Sequence, residues 1–456
     1  MDSPATAAST AAAAAKKRRG CYDQEQQQAG SSLEEPRPLP GLKLQSASYQ
    51  RIWARADGLG SPQYVEALLS PGNRAYIKIR DLSPVGANPR PLYLCTELAL
   101  DDSGVFVPSE RGTVVVKAAR LKPGEELESV IAGTSVPALR RGCDEPAEEA
   151  KAMALLTAAV GKGSQSGVVP LLDCFVDADR WLYMVLPFYV RGDLVEVLGG
   201  LGRKGQLGTP ACVSWARSVF GRLVGSLAVL KEQGIGHMDI SPENVFLDET
   251  GAMPALGDLG MALAAPVPVP TPAAGGDGAS SPKRQPDEDE GPPRTPAKVA
   301  TPTGAGDITG SRKKREREDA EAEDRARPSI IKQHTTLLTA QRFRGKIAYA
   351  APELVLEQPF DPYATDVFSL GCLLFALLAG RLLMEPSSKR GEDVLANRPR
   401  FAALLRRDFA TLFELQNSSF QLPAEAADLL KGMIDPNPRR RLTLEEVAEH
   451  PWVQGR

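Results

Sequence analysis

The chain has 456 residues, enough for two or three domains at about 100–200 residues each. Apolar residues make up 42% and charged residues 24%, with a net charge of −3, so composition signals neither specific nucleic-acid binding nor a membrane protein. The six cysteines, at 21, 95, 143, 174, 212 and 372, are scattered without a C-x-x-C pair, which suggests neither a zinc site nor a disulfide framework and fits an intracellular, cytoplasmic or nuclear setting.

Residues 1–40 join an alanine run, a glutamine-rich stretch and a proline cluster without apolar periodicity, and are expected to form a disordered tail. Lys16-Lys17-Arg18-Arg19 follows the alanine run, the reverse of a secretory signal. This quartet and Arg312-Lys313-Lys314-Arg315 allow nuclear targeting without establishing it. Residues 41–98 hold strand-like runs at 75–79 and 92–95 and are read as an N-terminal extension of unassigned role.

Next come Gly104-Val105-Phe106 and the β-branched run Val114-Val115-Val116, which ends in Lys117. A helical pattern over 145–160 carries Glu145, Glu148 and Glu149 near its start. Two strands are expected at 168–175 and 181–189, joined by a turn at 177–180 and followed by Val190-Arg191-Gly192-Asp193-Leu194. A helix is expected over 210–233, stopped by Gly234. After it lies the polar loop Gly236-His237-Met238-Asp239-Ile240-Ser241-Pro242-Glu243-Asn244. A hairpin of 245–247 with 254–256 then delivers Gly257-Asp258-Leu259-Gly260. Over 265–327 proline, glycine and runs of both charges replace all apolar periodicity, the mark of a disordered insertion. Order resumes at Gly345-Lys346-Ile347-Ala348-Tyr349-Ala350-Ala351-Pro352-Glu353 and continues in Asp366-Val367-Phe368-Ser369-Leu370-Gly371. The most apolar stretch, 367–380, falls short of the ~20 residues of a membrane span and reads as a buried helix. Arg439-Arg440-Arg441-Leu442 and His450-Pro451-Trp452 close the pattern.

In this order these segments resemble the signatures of the eukaryotic protein kinases, from about residue 99 to 453 apart from the insertion. The resemblance implies an α+β, two-lobed protein kinase fold, with a small antiparallel-sheet N-lobe and a mainly helical C-lobe. It implies ATP and Mg²⁺ as cofactors and a protein Ser or Thr hydroxyl as acceptor; Ala348-Tyr349 stands where tyrosine kinases usually carry a Trp. Residue by residue, Asp239 takes the place of the catalytic base, while Asn244 and Asp258 take those of the magnesium ligands. Lys117 matches the lysine that pairs the α- and β-phosphates, with Glu149 as its partner and Glu148 and Glu145 as rivals. Leu186 matches the gatekeeper, Pro187 to Tyr189 the hinge that faces adenine, and Asp193 a polar position near the ribose. Gly104 is placed as the third glycine of the phosphate loop, which leaves Ala99 and Asp101 where the first two belong.

Two departures concern the chemistry. Met238 replaces the arginine that collects an activation-loop phosphate in this family. Ser241 replaces the lysine that neutralises the transferring phosphoryl group, whereas Lys346 replaces a threonine that hydrogen-bonds the catalytic Asp, as if hydroxyl and ammonium had changed places. Lys346 is therefore expected to supply the missing charge and Ser241 the hydroxyl. The rival reading is a pseudokinase that acts as a binding or scaffold protein.

Overall fold

The computed structural model describes residues 49–55, 61–83, 90–122, 146–160, 166–264, 338, 345–384, 399–414 and 421–455. The tail at 1–40, the insertion at 265–327 and both basic clusters lie outside the described residues.

Seven strands form one sheet: β1 (Tyr49–Ala54), β2 (Gln63–Ser70), β3 (Arg74–Asp81), β4 (Leu92–Leu100), β5 (Phe106–Arg120), β6 (Asp173–Val176) and β7 (Trp181–Pro187). Their order is β1-β2-β3-β4-β5-β7-β6, with antiparallel neighbours throughout. A single parallel pairing of Ala54 with Phe106 joins β1 to β5 and gives the first five strands a barrel-like closure. Ile52, Ala54, Ala67, Ala75 and Leu98 form an apolar cluster of this part. β4 runs without interruption through residues 98 and 99, so no break in the sheet marks the expected junction between extension and domain.

Only the second half of the strand expected at 168–175 joins this sheet. Its first half follows the later hairpin instead, with Val168 bridged to Leu256 and the Val169 N–H donating to the Leu256 carbonyl at 2.9 Å. An apolar run alone does not say which edge it will meet.

Helix α1 (Pro146–Val160) buries Ala147, Glu149, Ala150, Met153 and Leu156 on one side. Its Ala147, Ala150, Met153 and Leu156 join Leu171, Leu182, Met184, Leu230, Ile235 and Leu259 in one cluster, which ties the sheet to the helices that follow.

Those helices begin with α2 (Leu194–Arg203) and α3 (Pro210–Glu232). Thr209 caps α3 by accepting the Cys212 N–H, and Pro210 occupies its first turn, where a missing N–H costs nothing. Short strands β8 (Ile235–Gly236), β9 (Val245–Leu247), β10 (Pro254–Leu256) and β11 (Leu263–Ala264) frame the polar loop, with β9 paired to β10 and β8 to β11. Helices α4 (Pro352–Val355), α5 (Pro362–Ala379), α6 (Pro399–Leu405), α7 (Phe409–Phe413), α8 (Ala424–Met433), α9 (Leu444–Glu449) and α10 (Pro451–Gln454) complete the chain. Among the described residues α5 alone is long and apolar enough to cross a membrane, and 89% of it is buried inside the protein. A helix apolar on every side belongs in a core, and α5 packs there with Phe220, Leu429 and Trp452.

Candidate active site

The polar loop is held from below by Asp366 of α5, whose carboxylate accepts the His237 N–H at 2.6 Å and the Met238 N–H at 2.8 Å. His237 is fully buried, and burial lowers its pKa, so the ring is neutral at pH 7. Its Nε2–H donates to the Gly257 carbonyl at 3.1 Å, while Nδ1 accepts the Asp239 N–H at 3.3 Å. One imidazole thus ties the loop to the segment that carries Asp258.

Asp239 and Asn244 meet across a single 3₁₀ turn, residues Pro242–Asn244. Asn244 Nδ2 donates to the Asp239 carbonyl at 2.7 Å and to its Oδ2 at 2.8 Å. Asp258 stands in the left-handed region, φ 61°, and accepts the Gly260 N–H at 3.4 Å. Leu259 beside it is buried in the cluster below α1, an apolar anchor that fixes the turn.

From the sheet, Lys117 Nζ reaches Glu149 Oε1 at 2.6 Å and Asp258 Oδ1 at 3.4 Å. Glu149 is therefore the partner among the three carboxylates considered: Glu148 pairs with Lys151 at 3.0 Å, and Glu145 lies outside the described residues. Burial opposes the Lys117 charge, but Glu149 and Asp258 outweigh it and hold the ammonium above the ordinary lysine value. Burial also works against ionisation of Asp258; the Lys117 ammonium, helped by the Gly260 N–H, overcomes it and holds the carboxyl below its usual range. Burial raises the Glu149 carboxyl against the pull of Lys117, so the site gathers two carboxyl groups on one ammonium.

Leu186, Tyr189 and Phe246 are half-buried against the same apolar cluster, and the Tyr189 ring stacks on Phe246 with centroids 5.5 Å apart. Phe246 was not among the expected residues; its place opposite the hinge follows from the β9–β10 hairpin and has no signal in sequence spacing. Pro187 ends β7, paired with Val114 of β5. Asp193 is the N-cap of α2, accepting the Glu196 N–H at 3.0 Å.

Gly104 is not brought to the site. It sits in the turn between β4 and β5, beyond the pairing of Leu100 with Phe106, whereas Lys117 lies at the other end, opposite Leu92. The eleven residue steps from Phe106 to Lys117, at roughly 3.3 Å each, put it about 36 Å away along the strand. Asp101 faces no phosphate either; it accepts the N–H groups of Ser103 and Val105, both at 2.9 Å, and builds that turn. β5 is one strand of 15 residues, so the connection that returns to Lys117 is the β3–β4 link at 82–91, of which 84–89 lie outside the described residues. Arg90, in that link, acts electrostatically on both Lys117 and Glu149 and was missed with it.

Lys346 approaches Asp239 twice: its N–H donates to Oδ1 at 2.9 Å and its Nζ to Oδ2 at 2.9 Å. Gly345 makes this possible. At φ +76° a Cβ there would lie 2.5 Å from the Met238 carbonyl oxygen, so only glycine lets the two segments come this close. Lys346 also pairs with Glu243 at 3.4 Å, a contact the sequence did not reveal. Ser241 departs from expectation: its Oγ is buried and has no hydrogen-bond partner among the described residues, so it does not serve Asp239. Met238, at the position where the resemblance implied the loss of a phosphate-collecting arginine, packs with Leu263, Leu338, Leu354 and Phe360 in an apolar cluster.

The donor set suits magnesium. With Asn244 Nδ2 committed to Asp239, its carbonyl oxygen and the Asp258 carboxylate remain as hard oxygen ligands. Among the described residues no cluster of three or more His, Cys, Asp or Glu could cage a metal alone. Mg²⁺ needs no such cage, since it takes one or two protein oxygens and completes its octahedron with phosphate and water.

The protein kinase domain family matches residues 329–453. Over 287 residues the chain is 26% identical to CBL-interacting protein kinase 22 of Oryza sativa subsp. japonica, covering 63% of this chain and 45% of that protein. It is 31% identical over 115 residues to SNF-related serine/threonine-protein kinase of Homo sapiens, covering 24% of this chain and 12% of the relative. Mitosis inducer protein kinase cdr1 of Schizosaccharomyces pombe is 33% identical over 115 residues, 25% of this chain and 17% of its own. The chain thus spans less than half the length of these relatives.

Proposed function

Because the chain belongs to the eukaryotic-type protein kinase superfamily, we propose that it transfers the γ-phosphoryl group of ATP to a Ser or Thr hydroxyl of a protein. The observation that carries this is the row Glu149, Lys117, Asp258, in which the lysine of the sheet is poised on the carboxylate that follows the polar loop. Such a row has a structural cost, because buried charges must be desolvated, and a binding site for polyphosphate justifies it. The arrangement supports a two-lobed kinase fold, with the nucleotide between the sheet and the helical part.

In the reaction the acceptor oxygen attacks the γ-phosphorus, the bond to the bridging oxygen breaks, and the hydroxyl proton passes to Asp239. Among the described residues Oδ1 of Asp239 accepts only the Lys346 N–H, so a lone pair remains for that proton. Lys117 binds the α- and β-phosphates, and Glu149 orients it. Asn244 and Asp258 would hold magnesium, which when bound offsets phosphate charge at the reacting centre. Leu186, Tyr189 and Phe246 offer the purine an apolar wall.

The test is transfer of labelled γ-phosphate to a generic Ser/Thr substrate with magnesium, beside an Asp239→Asn control. Transfer by the native chain and none by the control supports the reading. Equal signals from both, or none from either despite nucleotide binding, would favour the pseudokinase.

A further inference from the structure

We infer that Lys346 is a catalytic residue that holds the transferring phosphoryl group, in place of a cation the loop itself lacks. The inference deepens the phosphotransfer reading and rests on it. Residues 236–247 contain no Lys or Arg, although the three equatorial oxygens of a phosphoryl in flight call for a positive neighbour beside the base. Lys346 brings one from a different element, 107 residues further along the chain, with Nζ 2.9 Å from Asp239 Oδ2.

Three features separate this from an ordinary surface pair. Lys346 is tethered by its own backbone N–H to the other oxygen of the same carboxylate, so its position is fixed before any ligand arrives. The side chain is 32% exposed while Asp239 is 10% exposed, which leaves the ammonium open to a ligand and the carboxylate recessed beneath it. An ammonium has three N–H donors; Asp239 and Glu243, at 2.9 and 3.4 Å, account for two of them, leaving one for an anion. Burial opposes the charge, but the hydrogen bond to Asp239 and the charges of Asp239 and Glu243 outweigh it, so Lys346 stays protonated.

Ser241 is the second, independent observation. A fully buried hydroxyl without a partner among the described residues is rare in a folded protein and asks for an explanation. The Ser241 hydroxyl makes no hydrogen bond to Asp239, so of the two exchanged positions Lys346 alone meets the base.

The experiment is a double-mutant cycle of the full chain with Ser241→Lys, Lys346→Thr and both together. For each protein kcat and KM for ATP are measured, with a thermal melt to certify folding. Lys346→Thr should lower kcat about 10²–10³-fold, the usual cost of removing one transition-state donor, with KM for ATP changed only a few-fold. The double variant should recover to within about tenfold of the native chain, a non-additivity that a merely structural lysine would not give. A folded Lys346→Thr protein with native kcat, or a folded double variant no better than Lys346→Thr alone, overturns the inference. A binding arm needs no turnover: Mg²⁺ complexes of ADP and of a non-hydrolysable ATP analogue are titrated against the native and Lys346→Thr chains. The native chain should favour the analogue over ADP by a larger factor, and equal ratios would overturn the role of Lys346. Absence of Asp239-dependent transfer in the native chain, by contrast, overturns the kinase reading and leaves the binding arm to decide on Lys346.

Discussion

Two ion pairs anchor the segment between residues 345 and 353, and they are built for opposite purposes. Arg441 and Glu353 meet as a fork, at 2.7 and 2.9 Å, with side chains 0% and 2% exposed. Two further donors of Arg441 go to the carbonyls of Ala364 and Asp435, so the pair is sealed and hydrogen-bonded on several sides. Lys346 and Asp239 are equally close but partly open, and their carboxylate is shared with Asn244. A planar guanidinium suits a permanent clamp; a flexible ammonium suits a group that must exchange one anion for another. Two oppositely charged pairs in one short segment thus divide into one that is sealed in the core and one that is open to a ligand.

The comparison can be broken at either end. Asp239→Asn should reduce phosphotransfer by 10³-fold or more while the melting temperature moves by no more than a few degrees, since only the open pair is touched. A large fall in melting temperature would mean that this pair is structural as well. Arg441→Leu should do the reverse. Leaving Glu353 buried and unpaired costs about 3–5 kcal/mol in urea unfolding, with phosphotransfer largely kept in the molecules that remain folded. A loss below about 1 kcal/mol would show that the sealed pair is dispensable.

A smaller effect lies beneath the loop. Burial pushes the Asp366 carboxyl from 3.8 to about 7, against the Met238 and His237 N–H groups that favour its charge, with Asp361 and Asp239 adding to the rise. The folded chain therefore binds this proton more tightly than the unfolded one. The stability that Asp366 contributes is complete below about pH 4 and is lost as pH rises through 7. The charged carboxylate is nonetheless the form that accepts both N–H groups, so loop order and activity should climb over the same interval. Asp366→Asn should flatten both the stability slope and the rising limb of the pH–rate profile near pH 7; a variant that keeps the native limb would assign it elsewhere. The smallest effect is expected from phosphatase treatment. Because Met238 packs on Leu263, Leu338, Leu354 and Phe360, activity should change less than about twofold, and loss of activity on dephosphorylation would overturn this.

Legibility in the sequence followed the range of the interaction. Asp239 and Asn244 are five residues apart and meet within one turn, so their relation was readable from spacing. Lys117, Asp258, Asp366 and Arg441 were readable because each stands in a short motif whose neighbours are local. Gly104 was misplaced for the complementary reason. A count of residues back from Lys117 cannot tell one long strand from two strands and a turn, and the 15-residue β5 carries Gly104 to the far end of the sheet. The same blindness hid Phe246 beneath Tyr189 and Glu243 beside Lys346, contacts that depend on how separate elements pack.

By itself the sequence determined the order of the signatures, three of the helices, and the exchange of hydroxyl and ammonium between positions 241 and 346. These rest on local propensity and on side-chain chemistry that needs no neighbour. Only the tertiary structure decided which carboxylate holds Lys117, which connection returns to the Lys117 end of the sheet, and where each half of that exchange stands. It set Lys346 on Asp239 and left Ser241 as a buried hydroxyl without a partner among the described residues, because distances across 107 residues are fixed by packing and not by spacing.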